Sequence, residues 1–94
     1  MTERQILVAA NWKMNGTLES IRPLLADVIQ GVSGISNEVA ICPPFIYIPE
    51  LAEQLNGAEI RLGAQNVSQQ EKGAYTGEVA VSMLKDYGCD YVIV

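Results

Sequence analysis

The apolar positions of this 94-residue chain form short runs that alternate with stretches of helical periodicity. Residues 6–10, 39–42 and 91–94, together with alternate positions of residues 60–64, predict four strands. The first run is continuous, as is typical of a strand that is covered on both faces in a parallel sheet. Helical segments separate the strands, so the pattern predicts a β-α-β-α-β-α-β order with right-handed crossovers and an α/β fold.

The first helical segment carries apolar residues at helical spacing from Leu18 to Val32. Pro23 is tolerated in a first turn, where its missing N–H has no intrahelical partner to lose, and this favours Ser20 as the N-cap. A cap at Thr17 would instead predict a kink at the proline.

Two further helices are predicted. One begins near Pro49 and ends at Leu55, before an Asn-Gly turn. The other covers residues 78–87, with Thr76 as its cap and Glu78 complementing the helix dipole. Its inner face is expected to carry three apolar side chains, those of Val79, Met83 and Leu84.

A polar connection over residues 66–77 precedes this last helix. It is longer than most strand-to-helix loops, and long loops are more often functional or interface-forming. Its glycines form neither a GxGxxG nor a GK[ST] pattern, so a phosphate-cradling role has little support. We expect a shaped loop or a subunit contact.

The length allows one small domain, and a domain of this size buries only a modest share of its surface. The sequence stops within the fourth apolar strand, which leaves an unpaired edge of the kind that native domains normally protect. We therefore expect residues 1–94 to be a truncated piece of a larger α/β unit.

Composition narrows the classes of function. The net charge is −5, and six lysines and arginines are too few for a broad nucleic-acid surface. No basic leader opens the chain, and its apolar runs are much shorter than the ~20 residues that span a bilayer, so we expect a cytoplasmic protein. The sequence has no histidine, which excludes Ser-His-Asp and Cys-His catalysis within these residues. Cys42 and Cys89 are predicted at opposite ends of their strands, as reduced and mostly buried thiols.

In parallel α/β folds, ligands gather at the carboxyl ends of the strands, and the only such end with a cation here is that of the first strand. Side chains alternate along an extended strand, so Asn11 and Lys13 are expected to point the same way while Trp12 points into packing. The pair can then converge on one anion. On spacing alone, the simpler interpretation is a solvated loop lysine beside a turn-forming asparagine.

Four motifs in register resemble the triosephosphate isomerase family: ANWKMNG at residues 10–16, LGAQN at 62–66, GAYTGE at 73–78 and MLKDYG at 83–88. The resemblance covers essentially the whole chain. It implies a TIM (β/α)₈ barrel, of which residues 1–94 are the N-terminal part of a single domain. The fold class expected is therefore a parallel (βα)₃β segment, truncated after the fourth strand.

The resemblance also implies an activity. Members of this family interconvert dihydroxyacetone phosphate and D-glyceraldehyde 3-phosphate, in glycolysis and gluconeogenesis, without a metal or an organic cofactor. Asn11 and Lys13 correspond to the first-loop residues that bind substrate, with Lys13 the catalytic cation for the phosphate-bearing ligand and the developing enediolate. The family's histidine electrophile, in a Gly-His-Ser-Glu-Arg-Arg stretch, and its glutamate base belong to segments after Val94. We expect the 94-residue chain to be inactive by itself.

A homodimer is implied in the same way. The connection from about Gln65 to Val79 corresponds to the loop that inserts into the second subunit, where Thr76 reaches the neighbour's first loop. The interface residues implied are Phe45, Tyr47, Gln65, Tyr75, Thr76, Gly77 and Glu78.

Two alternatives remain. The chain could be a noncatalytic module that self-associates or completes a barrel with a complementary segment, as its exposed strand edges suggest. It could instead be an independent open α/β domain that binds a phosphorylated small molecule, although the glycine fingerprint of such a domain is absent.

Overall fold

Four parallel strands run in sequence order, β1-β2-β3-β4, in the computed structural model, which describes residues 5–94. The strands are β1 (Leu7–Asn11), β2 (Glu38–Cys42), β3 (Ile60–Ala64) and β4 (Cys89–Val92). The helices are α1 (Leu18–Gly31), α2 (Ile48–Gln54) and α3 (Val81–Asp86), and a 3₁₀ turn, Phe45–Tyr47, precedes α2. This is the expected α/β fold, and it is consistent with the N-terminal part of a TIM barrel.

The strand order bears on one alternative. An open doubly wound domain binds its ligand where the strand order reverses. No reversal occurs among the four strands of residues 5–94. The structure therefore lacks, in this part of the chain, the switch point that an independent open α/β domain would use.

The parallel register brings the carboxyl ends of the strands to one edge of the sheet. Asn11 lies opposite Cys42, and Ala64 lies opposite Val92. Between them, Gly63 allows a close approach, since a Cβ at this position would lie 2.6 Å from the Cys42 Sγ and 3.2 Å from the Tyr91 carbonyl oxygen. A larger residue at position 63 would force β2 and β4 away from β3.

The helices pack on one face of the sheet and form a single apolar core. Ile21 and Leu25 of α1 and Leu51 of α2 are 0–1% exposed. The core comprises Ile21, Leu25, Ile41, Ile48, Leu51, Leu55, Ile60, Leu62, Ala64 and Leu84.

The expectation that β1 is covered on both faces is wrong for this structure. All five residues of β1 are exposed, and Leu7 and Val8 are 45% and 49% accessible. At the edge of the sheet β1 has only β2 as a neighbour among the described strands, and none of its side chains packs against the apolar core. The apolar run is therefore present without the cover that such runs normally have.

The N-terminus of α1 also differs from the prediction. Thr17, not Ser20, is the N-cap: the Thr17 Oγ1 accepts from the Ser20 N–H at 3.1 Å, and the Ser20 Oγ accepts from the Thr17 N–H at 3.0 Å. This reciprocal capping box satisfies two donors that the sequence argument left unassigned. Pro23 consequently lies inside the helix, on an exposed position where water can reach the carbonyl that its missing N–H leaves unbonded.

The segment before β4 also differs from the prediction. Helix α3 begins at Val81, three residues later than predicted, with Ala80 as its N-cap, so Thr76 caps no helix. Leu84 is buried on the inner face as expected, whereas Met83 is 50% exposed. Helix α3 ends at Asp86 with Tyr87 as its C-cap, and strand β4 starts at Cys89, two residues earlier than predicted.

Other predictions are confirmed. Strands β2 and β3 lie where the apolar pattern places them, and α2 is preceded by a 3₁₀ turn that the pattern did not show. Cys42 ends β2, Cys89 begins β4, and both thiols are free. Within residues 5–94, no helix is both long and apolar enough to cross a membrane.

The capping box gives a direct test. We expect Thr17→Ala to lower the free energy of unfolding of the chain by about 1 kcal/mol, because the N-cap acceptor is lost. Thr76→Ala is the matched control, since Thr76 is exposed and caps no helix, and its effect should stay below ~0.5 kcal/mol. Urea denaturation followed by circular dichroism measures both. Equal effects of the two substitutions would contradict the assignment of Thr17 as the cap.

Candidate functional site

The candidate site lies where β1 ends and the chain turns toward α1. Asn11 is the last residue of β1, and the Trp12 N–H donates to the Cys42 carbonyl at 3.1 Å, which extends the contact with β2 by one residue. The Trp12 side chain packs against the core, as predicted. Lys13 is exposed at the start of the loop, residues 12–17, that we call loop 1.

A hydrogen bond links Asn11 and Lys13, and the alternation of side chains along a strand does not apply to this pair. Strand β1 ends at Asn11, and Lys13 has φ +56°, a left-handed conformation in which the alternation argument does not hold. The Asn11 Oδ1 accepts from the Lys13 N–H at 2.9 Å. This local bond supports the unusual turn, and it leaves the Asn11 side-chain NH₂ as a donor for a ligand.

Lys13 is the one non-glycine residue in residues 5–94 with a positive φ. Such a conformation is unfavourable for a residue with a Cβ and persists where surrounding contacts fix it. Backbone strain of this kind concentrates at functional sites, so it independently marks Lys13. Sequence spacing alone did not show it.

The charge of Lys13 is available to an anion. No carboxylate within the described part of the chain forms a salt bridge with it. By contrast, Arg22 pairs with Glu50 at 2.7 Å, and hydrogen bonds from Gln54 and Arg22 lower the pKa of the Glu50 carboxyl. A cation whose charge is already matched in this way would bind an added anion less well than Lys13.

Two side chains, one from the segment after β2 and one from the segment after β3, hold loop 1. The Gln65 Nε2 donates to the carbonyls of Lys13 at 2.8 Å and Cys42 at 2.9 Å. The Tyr47 hydroxyl donates to the Gly16 carbonyl at 2.9 Å. The family resemblance marks both residues only as interface residues. Their intramolecular role was missed, although the position of Gln65 directly after β3 was an available signal.

Gly16 allows loop 1 to pass close to the core. Its φ of +122° suits glycine, and a Cβ there would lie 3.1 Å from the Ile21 Cγ2 and 3.4 Å from the Tyr47 Cε2. Any larger residue would be strained and would also push against a buried isoleucine. The conformation of loop 1 therefore depends on glycine at this position.

The other predicted interface residues occupy two places. Phe45 is partly buried and packs against the core. Residues 75–78 form an exposed turn, closed by the Glu78 N–H donating to the Tyr75 carbonyl at 3.0 Å, with Gly77 at φ +85°. Gly77 supplies the positive φ that this turn needs. An interface role for Phe45, Tyr75, Thr76, Gly77 and Glu78 stays a prediction.

The two cysteines show no sign of being activated. Burial raises the pKa of the Cys42 thiol. Burial, with a smaller contribution from Asp90, raises the pKa of Cys89 to about 11. Since the thiolate is the nucleophile, both groups are poorly reactive near neutral pH. The site thus offers an ammonium and an amide that can bind and stabilise an anion.

The Gln65 bridge should contribute to stability. We expect Gln65→Met to lower the free energy of unfolding by about 1–3 kcal/mol, because two hydrogen bonds of about 0.5–1.5 kcal/mol each are lost. Gln69→Met is the control, since Gln69 is exposed and makes no hydrogen bond in the described structure. Urea denaturation compares the two. A result within 0.5 kcal/mol of the control, on the order of a surface substitution, would show that the bridge does not hold loop 1.

Several known sequences are similar to that of this chain. The family model described as triosephosphate isomerase matches residues 6–94. The triosephosphate isomerase of Nitrosococcus oceani is 50% identical over 92 residues, which are 97% of this chain and 37% of that protein. That of Methylococcus capsulatus is 46% identical over 91 residues, 97% of this chain and 36% of the relative.

The triosephosphate isomerase of Shewanella loihica is 46% identical over 101 aligned positions, which cover 100% of this chain and 39% of the relative. The chain therefore spans less than two fifths of the length of these relatives. Both the matched residues and the strand order agree with the resemblance first drawn from four short motifs. The chain belongs to the triosephosphate isomerase family.

Proposed function

We propose that this chain is the N-terminal part of a barrel enzyme that interconverts dihydroxyacetone phosphate and D-glyceraldehyde 3-phosphate. The observation that carries the proposal is the strained Lys13, tied to Asn11 at the carboxyl end of β1. Barrel enzymes bind their substrates at this end of the strands. The family's relatives are named for the same activity.

In this proposal Lys13 supplies positive charge and Asn11 supplies orientation. The Lys13 ammonium attracts the phosphate-bearing triose and stabilises the negative charge of the enediolate as it develops. A charge fixed in advance, in a site that excludes water, is more effective than the same charge in solution. The Asn11 NH₂ donates to the same ligand, because its Oδ1 is already engaged by Lys13.

The proton transfers are assigned to other parts of the enzyme. The chain has no histidine, and the family's histidine electrophile and glutamate base belong to later segments. We propose that residues 1–94 form one part of a single barrel domain, work without a metal or organic cofactor and are inactive alone. We also propose a cytoplasmic homodimer, supported by the exposed turn of residues 75–78 and by Ile46, which is 79% exposed and lies between Phe45 and Tyr47 of the predicted interface.

Replacing Lys13 tests the proposed reaction. Residues 6–94 can take the place of the matching segment in the Nitrosococcus oceani relative, and the hybrid should isomerise triose phosphates. Lys13→Met in the hybrid should lower kcat/KM by about 10²–10³-fold, the usual effect of removing one fixed electrostatic group. A coupled spectrophotometric assay measures both directions of the reaction.

Lys85→Met is the matched control, because Lys85 is an exposed lysine in the last turn of α3. Its kcat/KM should stay within about twofold of the parent hybrid, as for most surface substitutions. A folded hybrid without isomerase activity would overturn the proposed function. An active hybrid that keeps its activity after Lys13→Met would remove Lys13 from the mechanism.

A second function is favoured by one observation, the exposed apolar strand β1 at the edge of the sheet. An uncovered edge of this kind is a template for pairing with another strand. The chain could therefore act as a noncatalytic module that self-associates or completes a barrel with a complementary segment.

Sedimentation and isomerase assays on the 94-residue chain, alone and with the remaining segment of the Nitrosococcus oceani relative, test this module. We expect the chain to bind the complementary segment, and Val8→Lys to abolish binding because a charge would enter the β1 contact. Gln30→Lys adds the same charge on exposed α1 and should leave binding unchanged. If the chain stays monomeric and does not bind the complementary segment, the noncatalytic-module function is excluded.

A further inference from the structure

We propose that Tyr47 is a positioning residue for Lys13, fixing the far end of loop 1 through its hydroxyl and its ring. This inference rests on the proposed function, because it assigns Tyr47 a part in the binding of the phosphate-bearing substrate. It differs from the interface role that the family resemblance gives to the same residue. The contacts that support it all lie within this chain.

Tyr47 is itself held firmly. It ends the 3₁₀ turn after Pro43 and Pro44, and its N–H donates to the Pro44 carbonyl at 3.0 Å. The fixed φ of the two prolines restricts the approach to this turn. Its side chain is partly buried and packs against the core. Its ring is therefore held by the 3₁₀ turn and by the core as well as by loop 1.

The contacts of Tyr47 fall at the end of loop 1 that Gln65 does not reach. Gln65 holds the carbonyl of Lys13, and the Tyr47 hydroxyl holds the carbonyl of Gly16 at 2.9 Å. The Tyr47 ring also lies against Gly16, within 3.4 Å of where a Cβ would be. Between these anchors Met14 is 95% exposed, so packing contributes little there.

Lys13 needs both anchors because its backbone is strained. A left-handed lysine returns to ordinary φ values unless the chain on both sides is fixed. Loss of the anchor at Gly16 would let residues 14–16 rearrange and would widen the range of positions open to the Lys13 ammonium. The entropic cost of ordering the ammonium would then arise on ligand binding, and this would weaken the affinity for an anion.

Tyr47→Phe in the hybrid enzyme tests the inference. Phenylalanine keeps the ring against Gly16, and any apolar contact with a partner subunit, so the hydroxyl alone is removed. Inorganic phosphate serves as the probe, with its dissociation constant measured by calorimetry. We expect phosphate to bind about three- to tenfold more weakly, the usual effect of one lost hydrogen bond, with a matching rise in KM.

The decisive measurement is a double-mutant cycle with Lys13→Met. If Tyr47 acts through Lys13, Tyr47→Phe should change phosphate affinity by less than about twofold once Lys13 is gone. Tyr87→Phe, a change to an exposed tyrosine whose hydroxyl makes no hydrogen bond in the described structure, should have no effect in either background.

Two results would overturn the inference while leaving the proposed function intact: unchanged phosphate binding in Tyr47→Phe, or an equal loss with and without Lys13. The second result would give Tyr47 a purely structural role. Failure of the proposed function would look different, because the parent hybrid itself would then lack isomerase activity.

Discussion

The parallel register of β1, β2 and β3 is the constraint on which the candidate site depends. It places the end of β1 beside Cys42 and brings Gln65, directly after β3, within reach of both strand ends. A slip of one residue would turn the side chains of a strand to the opposite face. The Gln65 amide would then no longer join the carbonyls of Lys13 and Cys42. The conformation of loop 1 is thus set by strand pairing, although loop 1 itself lies outside the sheet.

The sequence predicted those features that local chemistry determines. The apolar runs located β2 and β3, and the first apolar run, followed by Asn11 and Lys13, located the candidate site. Predictions from local sequence were wrong where the same short pattern is compatible with two different structures. A threonine followed by glycine and an acid suits a helix cap, but at Thr76 it forms part of an exposed turn. At Thr17 the reciprocal bonds with Ser20 outweighed the cost of a proline inside the helix.

The supports of Lys13 could not be predicted in this way because they are non-local. The Tyr47 hydroxyl and its acceptor are 31 positions apart in sequence, and the Gln65 amide and the Lys13 carbonyl are 52 apart. Nothing in the neighbourhood of either side chain specifies such a partner. The positive φ of Lys13 is also invisible in the sequence, since lysine has no preference for it. These features appear only after the sheet has brought the strand ends together.

The exposed apolar run of β1 and the strained Lys13 bear on how the proposed enzyme divides its work between its segments. Loop 1 needs a rigid support, and the sheet edge that provides it is itself half uncovered in residues 5–94. If a barrel covers β1, the cover would also exclude water from the edge where Lys13 lies, and a fixed charge acts more strongly where water is excluded. Completing the barrel would then do more than add the groups that move protons. It would also strengthen the electrostatic contribution of a lysine that this chain already holds in place.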